Sequence, residues 1–300
     1  MRDVKVGPPA ARTVLASALC VVALAALPGL AQDAHPEAGL DFDGRAASAG
    51  GGQTAAGAEA DVKKEPNPLR LLLADSRSIF TAPLRWGGHE WTLFSLKVLA
   101  VGAAATTDSW VQRQVLRGHS SLENHLATDF EQLGRGPSFA ILGGFYLGGA
   151  IADDTKAKNV AIDGLIASAI ASGVITPALK FAVGRSRPSQ HQGTFHFRPG
   201  GGSASFPSGD ATQAFAVASV ITSAYRAPWV QVAAYGSAGL VGFARLRLNG
   251  HFASDVTAGA LIGAGVGKAV ARINRNLRVK VALSPIVAPG KRGLVFTAAF

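Results

Sequence analysis

Ser205-Phe206-Pro207-Ser208-Gly209-Asp210 runs without a break into Ala211-Thr212-Gln213-Ala214-Phe215-Ala216-Val217-Ala218-Ser219-Val220-Ile221-Thr222-Ser223-Ala224-Tyr225. The second part is too long for an ordinary strand and has no period-2 alternation, so it reads as a helix. The first part holds what a helix start requires. A serine hydroxyl stands beside backbone N–H groups that lack intrahelical partners, and Gly209 lets a bound oxygen approach the main chain. Such a start makes an anion site; in isolation it reads equally well as an ordinary Ser or Asp cap.

Five further stretches in Ala, Gly, Val, Leu and Ile share this character: Leu93 to Thr107, Ala140 to Ala152, Val160 to Val183, Pro228 to Ala244 and Val256 to Val270. Gly, Pro or charged clusters separate them. The expected fold class is all-α, a helical bundle of about six core helices in which small residues permit close approach. Most of these segments fall between the length of a buried core helix and the roughly 20 residues of a membrane span. Only Val160 to Val183 is clearly long enough, and it carries Asp163 and Lys180. The mean hydropathy of +0.24 is intermediate as well. A soluble periplasmic bundle and a membrane-embedded one are both consistent with this pattern. Trp86 and Trp91 suit either a membrane interface or a core.

The flanks read differently. Arg2, Lys5 and Arg12 precede the apolar run Val14 to Leu27, and Gly29-Leu30-Ala31 offers small residues for cleavage, so residues 1–31 are expected to be a secretory signal peptide. Residues 32–68 contain Gly50-Gly51-Gly52 and almost no large apolar side chain, which marks a disordered linker that cannot offset its ordering entropy. The helical domain is expected over 69–275. A hairpin tail follows over 276–300, where Val279 to Leu283 and Leu294 to Thr297 flank Pro289-Gly290. The sole cysteine, Cys20, lies inside the signal, so a disulfide scaffold and a thiolate zinc site are excluded. A net charge of +10 suits an anionic partner. Nucleic acid is not the expected one, because the basic residues are spread along the chain rather than gathered with aromatics.

Two other clusters flank the first. In Lys180-Phe181-Ala182-Val183-Gly184-Arg185-Ser186-Arg187-Pro188, seven residues separate Lys180 from Arg187. If the helix continues to Pro188, that is almost two turns, and the two cations share a face while Arg185 points elsewhere. Dipole complementarity at a helix end would select the same cations. The third cluster is Arg245-Leu246-Arg247-Leu248-Asn249-Gly250-His251-Phe252-Ala253-Ser254-Asp255. A helix starting near His251 places Asp255 one turn on, able to accept the Nδ1 proton and leave Nε2 nucleophilic.

In this order, K-x6-R-P, P-S-G and R-x5-H-x3-D resemble the type 2 phosphatidic acid phosphatase and vanadium haloperoxidase superfamily, over about Leu93 to Val270. The resemblance implies a bundle around a phosphate pocket and hydrolysis of a phosphomonoester or diphosphate through a phosphohistidine. It implies Lys180, Arg187 and Arg245 as phosphate clamps, Ser208 and the Gly209 amide as further donors, and His251 as nucleophile oriented by Asp255. No metal or other cofactor is implied, because the cations stabilise the charge. The implied partner is a phosphate-bearing substrate, lipid or isoprenyl, and the implied location is the periplasm or the envelope membrane.

Two positions depart from the family pattern. Ala244 stands where the family usually has Ser. Asp210 stands where the second motif usually ends in His, the general acid. An aspartate among three cations is a poor acid at neutral pH, whereas a bound phosphate dianion acts in the opposite sense. Asp210 acting at acidic pH, a diphosphate substrate that needs little protonation, and a phosphate-binding protein without turnover all follow as readings, as does a broad-specificity periplasmic acid phosphatase. His191 and His196 are candidate substitute acids or plain loop histidines.

Overall fold

The computed structural model describes residues 67–117, 136–202, 204–278, 280–288 and 291–299. The expected signal peptide and all but the last two residues of the expected linker lie outside them, as do His119, Glu123, His125 and Asp129.

The described chain is a helical bundle, followed by one hairpin. Helix α1 (Pro68–Thr81) starts with proline at its first position, and the Asn67 side chain accepts from the Leu69 N–H at 2.9 Å. A short 3-10 turn, Ala82–Arg85, leads to the long α2 (Gly88–Arg117). Helix α3 (Gly136–Ile151) is followed by Asp154, which caps α4 (Thr155–Ser168) by accepting from Lys156 N–H at 2.8 Å. Helix α4 continues through a π-helical stretch, Ala169–Ile175, into α5 (Thr176–Val183). Pro177, which has no N–H to give the preceding turn, follows that stretch directly.

Helix α5 ends four residues sooner than the sequence led us to expect. Gly184 adopts the left-handed conformation (φ 58°), and its N–H bonds back to Lys180 O at 2.9 Å. A Cβ there would sit 1.9 Å from Arg198 O, so no other residue fits. Arg187 therefore lies beyond the helix on extended backbone, and Pro188 opens a separate 3-10 turn rather than ending α5.

Helices α6 (Gly209–Ala224), α7 (Pro228–Arg247) and α8 (Ala253–Arg278) complete the bundle. Along α8, Gly259, Gly263 and Gly267 make one stripe against the backbone of α6; a Cβ on Gly263 would fall 2.2 Å from Thr212 O. Leu71, Val160, Ile170, Val220 and Val270 form one buried core, and Phe215, Tyr235, Ala238 and Val241 another. Strands β1 (Lys280–Ala288) and β2 (Lys291–Ala299) pair antiparallel, Lys280 opposite Ala299.

The chain connections place the end of α5, the start of α6, the end of α7 and the start of α8 together at one end of the bundle. Beside these apolar cores, large apolar side chains also face outward and carboxylates face inward. Leu147, Phe181, Trp229 and Val232 are each more than 60% exposed, whereas Asp75, Asp108 and Asp255 are fully buried. The helical stretches Thr155–Val183 and Ala253–Arg278 are long and apolar enough to cross a membrane.

Candidate active site

Asp255, one turn into α8, is the hub of the site. Its Oδ1 accepts from Arg185 Nη1 at 2.7 Å, and its Oδ2 accepts from Ser205 Oγ at 2.6 Å and from Phe252 N–H at 2.9 Å. Arg185 also donates Nη2 to Asp108 Oδ2 at 2.8 Å and Nη1 to Ser254 Oγ at 2.7 Å, and its guanidinium lies 4.2 Å from the Phe252 ring centre. Ser254 in turn donates to both oxygens of Asp108, through its N–H at 2.9 Å and its hydroxyl at 2.6 Å. Asp108, Arg185 and Asp255 thus form a buried, fully hydrogen-bonded charge network that joins α2, the loop after α5 and α8.

His251 precedes α8 and is buried, with Nδ1 3.7 Å from Asp255 Oδ2. That is longer than a hydrogen bond, as is common at catalytic pairs before substrate binds. Burial is the main influence holding the imidazole below its ordinary value; Asp255 pushes the other way, and the nearby cations Lys180 and Arg187 add to the depression. The ring is therefore held toward its neutral form.

Lys180 and Arg187 are near enough to act on this ring electrostatically, and Ser208 and Arg245 stand at neighbouring helix ends. Lys180, in the last turn of α5, donates Nζ to the Ala204 carbonyl and is half-buried. Arg187 is exposed on its extended segment. Ser208 caps α6 through its hydroxyl, 3.5 Å from Ala211 N–H, while its own N–H bonds to Asp255 O at 2.9 Å, which ties the second motif to the third. Gly209 and Asp210 form the first turn of α6. Arg245, in the last turn of α7, places Nε 2.8 Å from Asp210 Oδ2. The carboxylate at the position of the usual acid is thus an ion-pair acceptor. His196 Nδ1 stands 2.8 Å from Ser186 Oγ, and His191 is exposed.

Sequence reasoning passed over Arg185, Ser205, Ser254 and Asp108. One signal was available: Asp108 interrupts an Ala-rich helix, and a carboxylate buried among apolar residues needs a cation. Its partner is 77 positions away in the chain, so no local pattern reveals the pair.

Residues 164–278 match the PAP2 superfamily, and that span contains all three motifs. The resemblance to the PAP2 superfamily lies in this part of the chain. The chain is also similar to proteins named lipid A 1-phosphatase. That of Porphyromonas gingivalis is 38% identical over 98 residues, 32% of this chain and 20% of that protein. That of Rhizobium etli is 34% identical over 107 residues, 33% of this chain and 44% of that protein. The chain therefore spans between a fifth and less than half of the length of these curated relatives. Among solved structures, Aquifex aeolicus LpxE is 26% identical with a TM-score of 0.43, over 56% of this chain and 94% of that one. A transmembrane PAP2 type phosphatidylglycerolphosphate phosphatase from Bacillus subtilis is 19% identical with a TM-score of 0.42, over 70% of this chain and 94% of that one.

Proposed function

We propose that this protein is a metal-independent phosphatase that removes phosphate from a lipid-linked monoester or diphosphate by way of a phosphohistidine at His251. The observation that carries this reading is a buried His251 that feels Lys180 and Arg187 and is backed by an Asp255 held by three donors, with the start of α6 tied to Asp255 through Ser208 N–H and to Arg245 through Asp210. His251 Nε2 forms a bond to phosphorus as the bond to the leaving oxygen breaks, and Asp255 stabilises the cationic ring through Nδ1–H. Water then attacks phosphorus, the P–N bond breaks, and free phosphate and neutral histidine result. Lys180, Arg187, Arg245 and the α6 amides meet the charge that builds on the equatorial oxygens.

Asp210 holds the place of the usual acid, but its Oδ2 faces Arg245 Nε at 2.8 Å. A carboxyl engaged in this way is poorly placed to serve the leaving oxygen, which favours a diphosphate or another good leaving group over a simple alkyl ester. A lipid substrate is supported by the names of the relatives and by an apolar groove of about 620 Å³ between α3, α6 and α7. Its walls include Ala214 and Val241, one turn from Asp210 and Arg245, and Phe145, Tyr225 and Trp229 farther along. Export by the N-terminal signal would bring the site to the outer side of the envelope membrane.

The test is phosphate release by the full chain from phenyl phosphate, phosphatidic acid and an isoprenyl diphosphate, with His251→Ala in parallel. Turnover that His251→Ala abolishes supports the mechanism. The ion-paired Asp210 also favours a second reading, a phosphate-binding protein without turnover; vanadate binding with no ester or diphosphate cleaved would establish that instead.

A further inference from the structure

A second cation-lined pocket lies at the other end of the bundle. It is a cavity of about 460 Å³ between the start of α4, the end of α6 and the last turns of α8, and Lys156, Arg226, Arg275 and Arg278 line it. Twenty residues of α8 separate Asp255 from Arg275, about 30 Å along the helix axis, so this pocket shares no residue with the catalytic one.

The walls are built for charge. Arg278 grips Asp163 with both Nη atoms, at 2.9 and 2.8 Å, and Asn274 Nδ2 donates to the same carboxylate at 2.8 Å. That carboxylate is thereby matched by one cation, and Asp154 is engaged as the cap of α4. Lys156 Nζ sits 4.2 Å over the Tyr225 ring, which aims it along the pocket rim. Arg226 and Arg275 are exposed and make no ion pair among the described residues. Asn159 Oδ1 is buried in the wall without a hydrogen-bond partner, and a flip of the amide would present N–H donors there instead. The four cations outnumber the three carboxylates nearby, Asp154, Asp163 and the buried Asp75 beside Asp163 and Arg278, and leave an excess of positive charge facing a cavity.

The location fits a membrane surface. About 30 Å is the thickness of a bilayer's hydrocarbon core. Asp108 of α2 meets Ser254 at the catalytic end, so the start of α2 lies at the opposite end with the pocket. There Trp86, Trp91 and Phe94 form an aromatic cluster, with Trp86 and Trp91 edge to face at 5.0 Å and Trp91 47% exposed. Aromatic side chains of this kind gather at the headgroup level, and basic pockets between membrane helices receive lipid headgroups.

We propose that this pocket is a second anion site, separate from the catalytic one, that binds the phosphate of an anionic phospholipid headgroup or a free phosphate ion. The proposal stands whether or not the phosphatase reading holds. The experiment compares the full chain in detergent micelles with Arg226→Gln/Arg275→Gln and with Arg187→Gln, which weakens the catalytic pocket only. The probes are dioleoylphosphatidylglycerol, dioleoylphosphatidylcholine and inorganic phosphate, with binding read by native mass spectrometry and titration.

The expected result is phosphatidylglycerol binding that survives Arg187→Gln and falls roughly tenfold or more in the Arg226/Arg275 pair. Inorganic phosphate binding by the Arg187→Gln protein that also falls when the pair is removed would assign the site to the phosphate group itself, whichever source supplies it. Binding of both anionic probes that is indifferent to the pair overturns the proposal. So does phosphatidylcholine bound as tightly as phosphatidylglycerol.

Discussion

Arg245 Nε lies 2.8 Å from Asp210 Oδ2, so two residues of the proposed phosphate site are paired with one another. The pair is largely but not wholly buried, which puts its worth at about 1 kcal/mol after solvent screening. Asp210→Asn should remove this ion pair from Arg245 and tighten inhibition by phosphate or vanadate roughly fivefold. Turnover of a diphosphate should change by less than about threefold, because a group that accepts from Arg245 is not the proton donor. Steady-state kinetics with vanadate inhibition checks both, and a fall in kcat of about a hundredfold or more would instead make Asp210 the acid.

Arg185 and Arg187 are two residues apart and should behave oppositely on substitution. Arg185 is 2% exposed and is the cation that Asp108 and Asp255 share. Arg185→Met leaves two buried carboxylates without it, a loss of about 3–5 kcal/mol, and should lower the melting temperature by many degrees. Arg187→Met, at an exposed position, should leave the melting temperature within a degree or two while lowering kcat/KM by about tenfold or more. Thermal unfolding and kinetics on the two variants separate the roles; equal stability losses would refute them.

This contrast also shows what the sequence could carry. The helices were legible because length and absence of alternation are local properties, and so was the placement of Ser208, His251 and Asp255 at helix starts. The end of α5 was misjudged because Pro188 is the more familiar stop signal, whereas the close approach of Arg198 O to Gly184 comes from a loop that returns fourteen residues later. Arg185 looked peripheral for the same reason: its partners Asp108, Ser254 and Asp255 come from other elements of the fold. The Asp210–Arg245 pair joins two helix ends that no spacing rule brings together.

The glycine stripe of α8 supplies a paired test of helix contact. A Cβ on Gly263 would meet Thr212 O at 2.2 Å and Ala216 N at 2.9 Å, whereas one on Gly265 meets nothing within 4 Å. Gly263→Ala must push α8 off α6 and should cost about 1–3 kcal/mol. Gly265→Ala should be neutral or stabilising by up to about 1 kcal/mol, since alanine is the better helix former. Because α6 and α8 start at the site, Gly263→Ala should reduce turnover as well, and melting curves with kinetics decide it.

The acid limb of activity should report His251. Protonated imidazole cannot attack, so kcat/KM rises with pH as His251 loses its proton, and burial places that step below the ordinary histidine value of 6.5. Arg187→Gln removes a cation that adds to the depression, so the limb should move up in pH. Asp255→Asn removes the charge that opposes it, so the limb should move down, with a lower plateau because the ring loses its orienting partner. Stability has the same sign: the unfolded chain takes up the histidine proton first as pH falls, so the contribution present above pH 6.5 is lost on acidification toward the folded value. A pH profile of kcat/KM for the three proteins tests the assignment. Substrate ionisation is common to all three, so limbs that coincide would place the titration elsewhere than His251.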